Sequence, residues 1–156
     1  MISNPILIVD DEVEMRIAMS ETLKHCGYPV ELSHNAIDAL KKYKENDYSM
    51  VITDMTMPKR SGLELLKDIK RLDSAKPVIM ATAYATVETA VEAMKHGAFD
   101  YIKNRSTSIP FSSWLNVPWL SRDTPARWSL LKGNPNRLKG ESLKRARKSL
   151  PRTRKC

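Results

Sequence analysis

Cysteine is too scarce in this chain for a disulfide framework: Cys26 and Cys156 are the only two among 156 residues, far apart and without companion ligands. No run approaches the ~20 apolar residues that a membrane-spanning helix needs. The N-terminus also lacks the basic, apolar, then small-residue order of a secretory signal. These absences predict a cytoplasmic protein with no membrane contact. Glycine is scarce as well, five in all, and none falls in the Gly-x-x-x-x-Gly-Lys order of a phosphate-binding loop. No helix-turn-helix pattern is evident, which leaves any DNA contact weak or indirect.

Acidic residues are scarce in one region only, so the formal charge of +8 averages two unlike segments. Residues 1–103 carry 13 Lys/Arg against 16 Asp/Glu, a balance of −3. Residues 104–156 carry 13 against 2, a balance of +11. All three tryptophans and five of the nine prolines also lie beyond 103. The composition predicts a globular domain over 1–103 and a basic, irregular or disordered tail over 104–156.

Over residues 1–103 the chain alternates between strand and helix periodicity. Short β-rich runs stand at Ile6–Val9, Val30–Ser33, Met50–Thr53, Val78–Thr82 and Phe99–Ile102. Between them, apolar residues recur at helical spacing. Met15, Ala18, Met19, Thr22, Leu23 and Cys26 make the first face, and Ala36, Ala39, Leu40 and Tyr43 the second. Leu65, Leu66, Ile69 and Leu72 make the third, while Val87, Ala90, Val91 and Met94 make the fourth. Gly27, Asn46 and Gly97 follow three of these helices, where a left-handed residue can close them. This alternation predicts an α/β fold with a doubly wound parallel sheet.

Such sheets bind ligands outside the carboxyl ends of their strands. Asp10 and Asp11 end the first run, Asp54 the third and Thr82 the fourth. Three clustered carboxylates repel one another, and each would sooner be protonated than ionised beside its neighbours. A hard cation such as magnesium removes that conflict. An aspartate next to it can also act as a nucleophile toward phosphorus. Taken singly, each residue has a plainer reading. Asp-Asp-Glu after a strand is often a helix cap, and Tyr84 reads as an exposed loop residue.

The motifs Ile6-Leu7-Ile8-Val9-Asp10-Asp11-Glu12, Ile52-Thr53-Asp54-Met55-Thr56-Met57-Pro58, Thr82-Ala83-Tyr84 and Gly97-Ala98-Phe99-Asp100-Tyr101-Ile102 occur in order. Together they resemble a response-regulator receiver domain (CheY-like), above all the receivers of NtrC-type sigma-54-dependent regulators. The resemblance covers residues 1 to about 103. It implies a flavodoxin-like five-stranded sheet in the order 2-1-3-4-5 and a phosphorelay role rather than an enzyme. Asp54 would be the phosphoacceptor, with Mg2+ held by Asp10, Asp11, Asp54 and the Thr56 backbone carbonyl. Thr82 and Tyr101 would be the switch pair, and Pro58, Gly62 and Gly97 match positions with backbone roles. A histidine kinase is the implied partner, and a receiver homodimer a further one.

The chain departs from that pattern at one point. The family's phosphoryl-contacting lysine falls at position 104, which is Asn104, while Lys103 stands one residue early. On a strand that shift reverses the side chain, so Lys103 could substitute only through a bulged or frayed strand end. The fifth helix is missing or degenerate in sequence, which predicts a sheet flank short of apolar cover. The codons from Lys103 onward, shifted by one base, permit Lys-Pro-Phe-Asp-Phe-Asp, so the later residues read as truncated or out of frame. A nucleic-acid-binding role for the basic tail is the alternative function. An aspartyl-phosphate phosphatase would want an acid two positions after Asp54, where Thr56 stands.

Overall fold

A computed structural model describes residues 4–103. The elements run β1 (Ile6–Val9), α1 (Val13–His25), β2 (Val30–Ser33), α2 (Ala36–Glu45), β3 (Met50–Thr53), α3 (Gly62–Leu72), β4 (Val78–Thr82), α4 (Val87–Lys95) and β5 (Asp100–Lys103). All pairings are parallel, in the order β2-β1-β3-β4-β5, the arrangement expected from the motifs. β5 begins one residue later than the β-rich run suggested and extends to Lys103. The expected loss of the fifth helix and the expected basic tail over 104–156 fall outside the described residues. Among the described residues no helix is long and apolar enough to cross a membrane.

β1, β3 and β4 are fully buried along their length, which is why their sequences are continuous apolar runs and not alternating ones. On one face Leu7, Val9, Val51, Val78 and Met80 pack with Ala36 and Ala39 of α2, Leu65, Leu66 and Ile69 of α3, and Ala93 of α4. Alternation places Ile6, Ile8, Ile52 and Ile79 on the opposite face. α1 buries Met19 and Leu23.

The structure corrects expectations about how helices close and which faces they bury. Gly27 and Gly97 do take positive φ, at 86° and 90°, but Asn46 is extended at φ −134°. Its backbone N–H and its side-chain amide both donate to the Lys42 carbonyl, so the helix end is satisfied without a left-handed turn. Leu72 is exposed, and so is most of the α4 stripe: Val87 at 75%, with Val91 and Met94 also outside the core. α4 instead turns Ala93 inward, a small residue that lets the helix lie close to the sheet. Cys26 caps α1 instead of continuing its face and is half-buried.

The start of α3 is closely specified because it abuts the strand ends. The Glu64 amide donates to Ser61 Oγ at 3.3 Å, and the Ser61 amide to Glu64 Oε2 at 2.9 Å. This reciprocal cap satisfies two donors that the first helical turn would otherwise leave open. Ser61→Ala is expected to cost about 1 kcal/mol, read as a lower urea midpoint with an unchanged m-value.

Candidate functional site

The register of the sheet brings the acids together. The Asp10 amide donates to the Ser33 carbonyl and the Asp54 amide to the Val9 carbonyl, so each carboxylate emerges as its strand ends. Carboxylate oxygens of Asp10, Asp11 and Asp54 lie within 4.8 Å of one another. Asp10 is only 4% exposed, Asp54 is half-buried and Asp11 faces solvent. Among the described residues this is the group of acids placed to hold a metal ion.

The electrostatics bear the repulsion expected of clustered acids. Burial pushes the Asp10 carboxyl up to about 7, the Asp54 and Asp11 carboxylates add to it, and a hydrogen bond from the Glu12 amide opposes it. That bond is 2.8 Å to Asp10 Oδ1. Burial also raises Asp54, against the pull of the Thr82 hydroxyl and the Thr56 and Met55 amides. Asp54 Oδ1 is buried without a hydrogen-bond partner among the described residues. A buried acceptor left open costs about 1–3 kcal/mol. A hard divalent cation would relieve both the open acceptor and the carboxylate repulsion, so the donor set fits magnesium.

The remaining expected residues take distinct places. Thr82 is fully buried at the end of β4, beside Asp54, and its hydroxyl accepts from the Tyr84 amide at 3.3 Å. Thr56 is exposed and turns its amide toward Asp54. Tyr84 is exposed, as expected. Tyr101 is half-buried against the core, and its hydroxyl lies 2.7 Å from Thr89 Oγ1. Lys103 is exposed and pairs in register with Thr82 through a regular ladder. The bulged strand end that would let it stand in for residue 104 is therefore not formed.

Two features were missed in sequence. Arg16 Nη1 donates to the Asp10 carbonyl at 2.5 Å, clamping the turn that carries the acids from the first turns of α1. Its spacing of six residues from Asp10 matches no short-range pattern, so no signal marked it. Gly62 is the other. A Cβ there would lie 1.8 Å from the Asp54 carbonyl oxygen, and the Gly62 amide donates to the Met55 carbonyl at 3.0 Å. Gly62 had matched a backbone position, yet nothing in sequence tied it to Asp54 itself.

The chain is similar to known proteins. Residues 6–108 match the response regulator receiver domain family. The chain is 41% identical over 97 residues to the transcriptional regulatory protein ZraR of Klebsiella oxytoca, covering 62% of this chain and 22% of that protein. It is 40% identical over 99 residues to the regulatory protein AtoC of Escherichia coli K12, covering 64% and 22%. The chain thus spans 22% of the length of these curated relatives. Among solved structures, the response regulator protein TrrA of Thermotoga maritima in complex with Mg(2+)-BeF superposes with a TM-score of 0.63 at 32% identity, covering 71% of this chain and 92% of that one. The relatives agree with the kinship to NtrC-type regulators read from the motifs. Motif order, sheet topology and relatives converge on one conclusion: this chain belongs to the response regulator receiver domain family.

Proposed function

We propose that the chain accepts a phosphoryl group on Asp54 from the phosphohistidine of a histidine kinase. The observation that carries this reading is the buried, unpartnered Asp54 Oδ1 inside a cluster of three carboxylates. A carboxylate oxygen of Asp54 would attack phosphorus, the phosphorus–nitrogen bond would break, and the imidazole would leave with its electron pair. The product is an acyl phosphate on Asp54. Asp10, Asp11, Asp54 and the Thr56 carbonyl would hold magnesium, which supplies positive charge against the phosphoryl oxygens.

The protein's own residues then divide the work. The Thr82 hydroxyl, already beside Asp54, donates to a phosphoryl oxygen. Lys103 on the neighbouring strand, exposed and in regular register with Thr82, does not replace the charge that Asn104 lacks. Tyr101 reports the movement of Thr82 to α4 and β5. Purified protein incubated with a small acyl-phosphate donor and magnesium is expected to take up one phosphoryl group per chain. Asp54→Asn is expected to abolish uptake. A folded wild-type sample that incorporates nothing, or an Asp54→Asn sample that incorporates equally, would refute the proposal.

A further inference from the structure

The Thr89 hydroxyl has more neighbours than it can serve at once, which makes one of its contacts switchable. It lies 2.7 Å from the Tyr101 hydroxyl, 3.0 Å from the Thr86 carbonyl, 3.1 Å from the Thr86 amide and 3.2 Å from the Thr86 hydroxyl. A threonine hydroxyl offers one proton and two lone pairs. A carbonyl can only accept, so the Thr89 proton goes to Thr86 O. An amide can only donate, so one lone pair takes the Thr86 N–H. The second lone pair then takes the Tyr101 proton, which fixes Tyr101 as the donor at the shortest of the four distances.

The Thr86 hydroxyl, 3.2 Å away, is left competing for that same lone pair. If Tyr101 withdraws, this hydroxyl can take its place, and Thr89 is not left unsatisfied. Two arrangements of nearly the same hydrogen-bond count are thereby available, which is the condition for a bistable element. Thr86 and Thr89 are also the cap pair of α4: the Thr89 amide donates to Thr86 Oγ1 at 3.2 Å. Whatever moves Tyr101 therefore alters the bonding of the first turn of α4. From that helix Val87, Val91 and Met94 project into solvent.

We propose that Thr89 is a positioning residue, a latch that holds the Tyr101 ring and passes its release to the first turn of α4 by exchanging Tyr101 for the Thr86 hydroxyl. The proposal rests on the reading of Tyr101 as a switch residue, and it assigns the coupling to one hydroxyl on α4. A valine in place of Thr89 keeps the shape and removes both the lone pair and the proton. A serine keeps both.

The test uses the full chain with fluorinated tyrosine and fluorine NMR, the Tyr101 signal being assigned by its loss in Tyr101→Phe. Thr89→Val is expected to move the Tyr101 signal without any activator, and Thr89→Ser to leave it at the wild-type position. A Tyr101 signal unmoved by Thr89→Val overturns the latch. Should Thr89→Val fail to fold, Tyr101→Phe leaves the cap pair intact and is read by amide exchange. Amides of the first turn of α4 are then expected to exchange at a changed rate, because the Thr86 hydroxyl takes the place of Tyr101 on Thr89. Unchanged exchange also overturns the latch. Beryllofluoride with magnesium, added to the wild type, tests the underlying switch separately. No movement of Tyr101 there would refute the switch reading, while the latch still stands or falls on Thr89→Val.

Discussion

Gly62→Ala is expected to destabilise the domain by about 3 kcal/mol or more. The new methyl carbon would sit 1.8 Å from the Asp54 carbonyl oxygen and 2.8 Å from the carbonyl carbon. Both are backbone atoms, so no flexible side chain can swing aside. Either α3 moves away from the strand ends or the Asp54 peptide shifts. The first breaks the Gly62 amide bond to Met55 and disturbs the Leu65 and Leu66 packing. The second displaces the carboxylate on which the proposed chemistry depends. The melting temperature should therefore fall by more than about 12 °C for a domain of this size, and any folded fraction should accept phosphoryl more slowly. A melting temperature within about 3 °C of wild type would mean that α3 can retreat without cost, against the tight approach described above.

Asp10→Asn is expected to act in the opposite direction on the metal-free protein. The folded-state carboxyl is raised to about 7, above its ordinary range, mainly by burial. Such a group favours folding while protonated and loses that contribution as pH rises. Its stabilisation is full below about 4 and gone above about 7. Wild-type protein without divalent cation should accordingly be less stable at pH 8 than at pH 5. The asparagine variant carries no charge to bury, and its Oδ1 can keep the Glu12 amide bond. It should be more stable than wild type at pH 8 by on the order of 3 kcal/mol, from a shift of about three pH units at 1.4 kcal/mol each, discounted for relaxation.

Magnesium should reverse the ranking. Added at pH 8 it should raise the wild-type urea midpoint, since a ligand that binds only the folded state stabilises it. The variant, having lost the most buried carboxylate of the cluster, should respond little. Equal magnesium responses in both proteins would exclude Asp10 as a ligand. A variant less stable than wild type at pH 8 without cation would show that the Asp10 carboxylate is not the burden its surroundings imply.

Much of the fold and of the site is legible in the sequence alone. β1, β3 and β4 match their expected bounds because strands buried on both faces are apolar nearly throughout, and half-buried β2 matches through the turns that flank it. Asp10, Asp11, Asp54 and Thr82 were placed together by one rule of parallel sheets, that strand carboxyl ends share an edge. The α4 face was misjudged for an equally physical reason. Apolar periodicity names the most hydrophobic stripe, Val87, Val91 and Met94, whereas packing against the sheet selected the small Ala93. Size at the contact decided what hydrophobicity could not.

The sequence by itself determined the parallel α/β fold, its five strands, the edge where the acids gather and the family kinship that its relatives bear out. Those follow from local periodicity and from motifs a few residues long. Only the tertiary structure decided that Gly62 must lack a side chain beneath Asp54, that Arg16 clamps the Asp10 carbonyl, and that Thr89 meets Tyr101. These pairs are 6 to 12 residues apart in the chain and meet across different elements. Their contacts depend on how closely helices approach the sheet, a distance set by the whole packed core and written in no single segment.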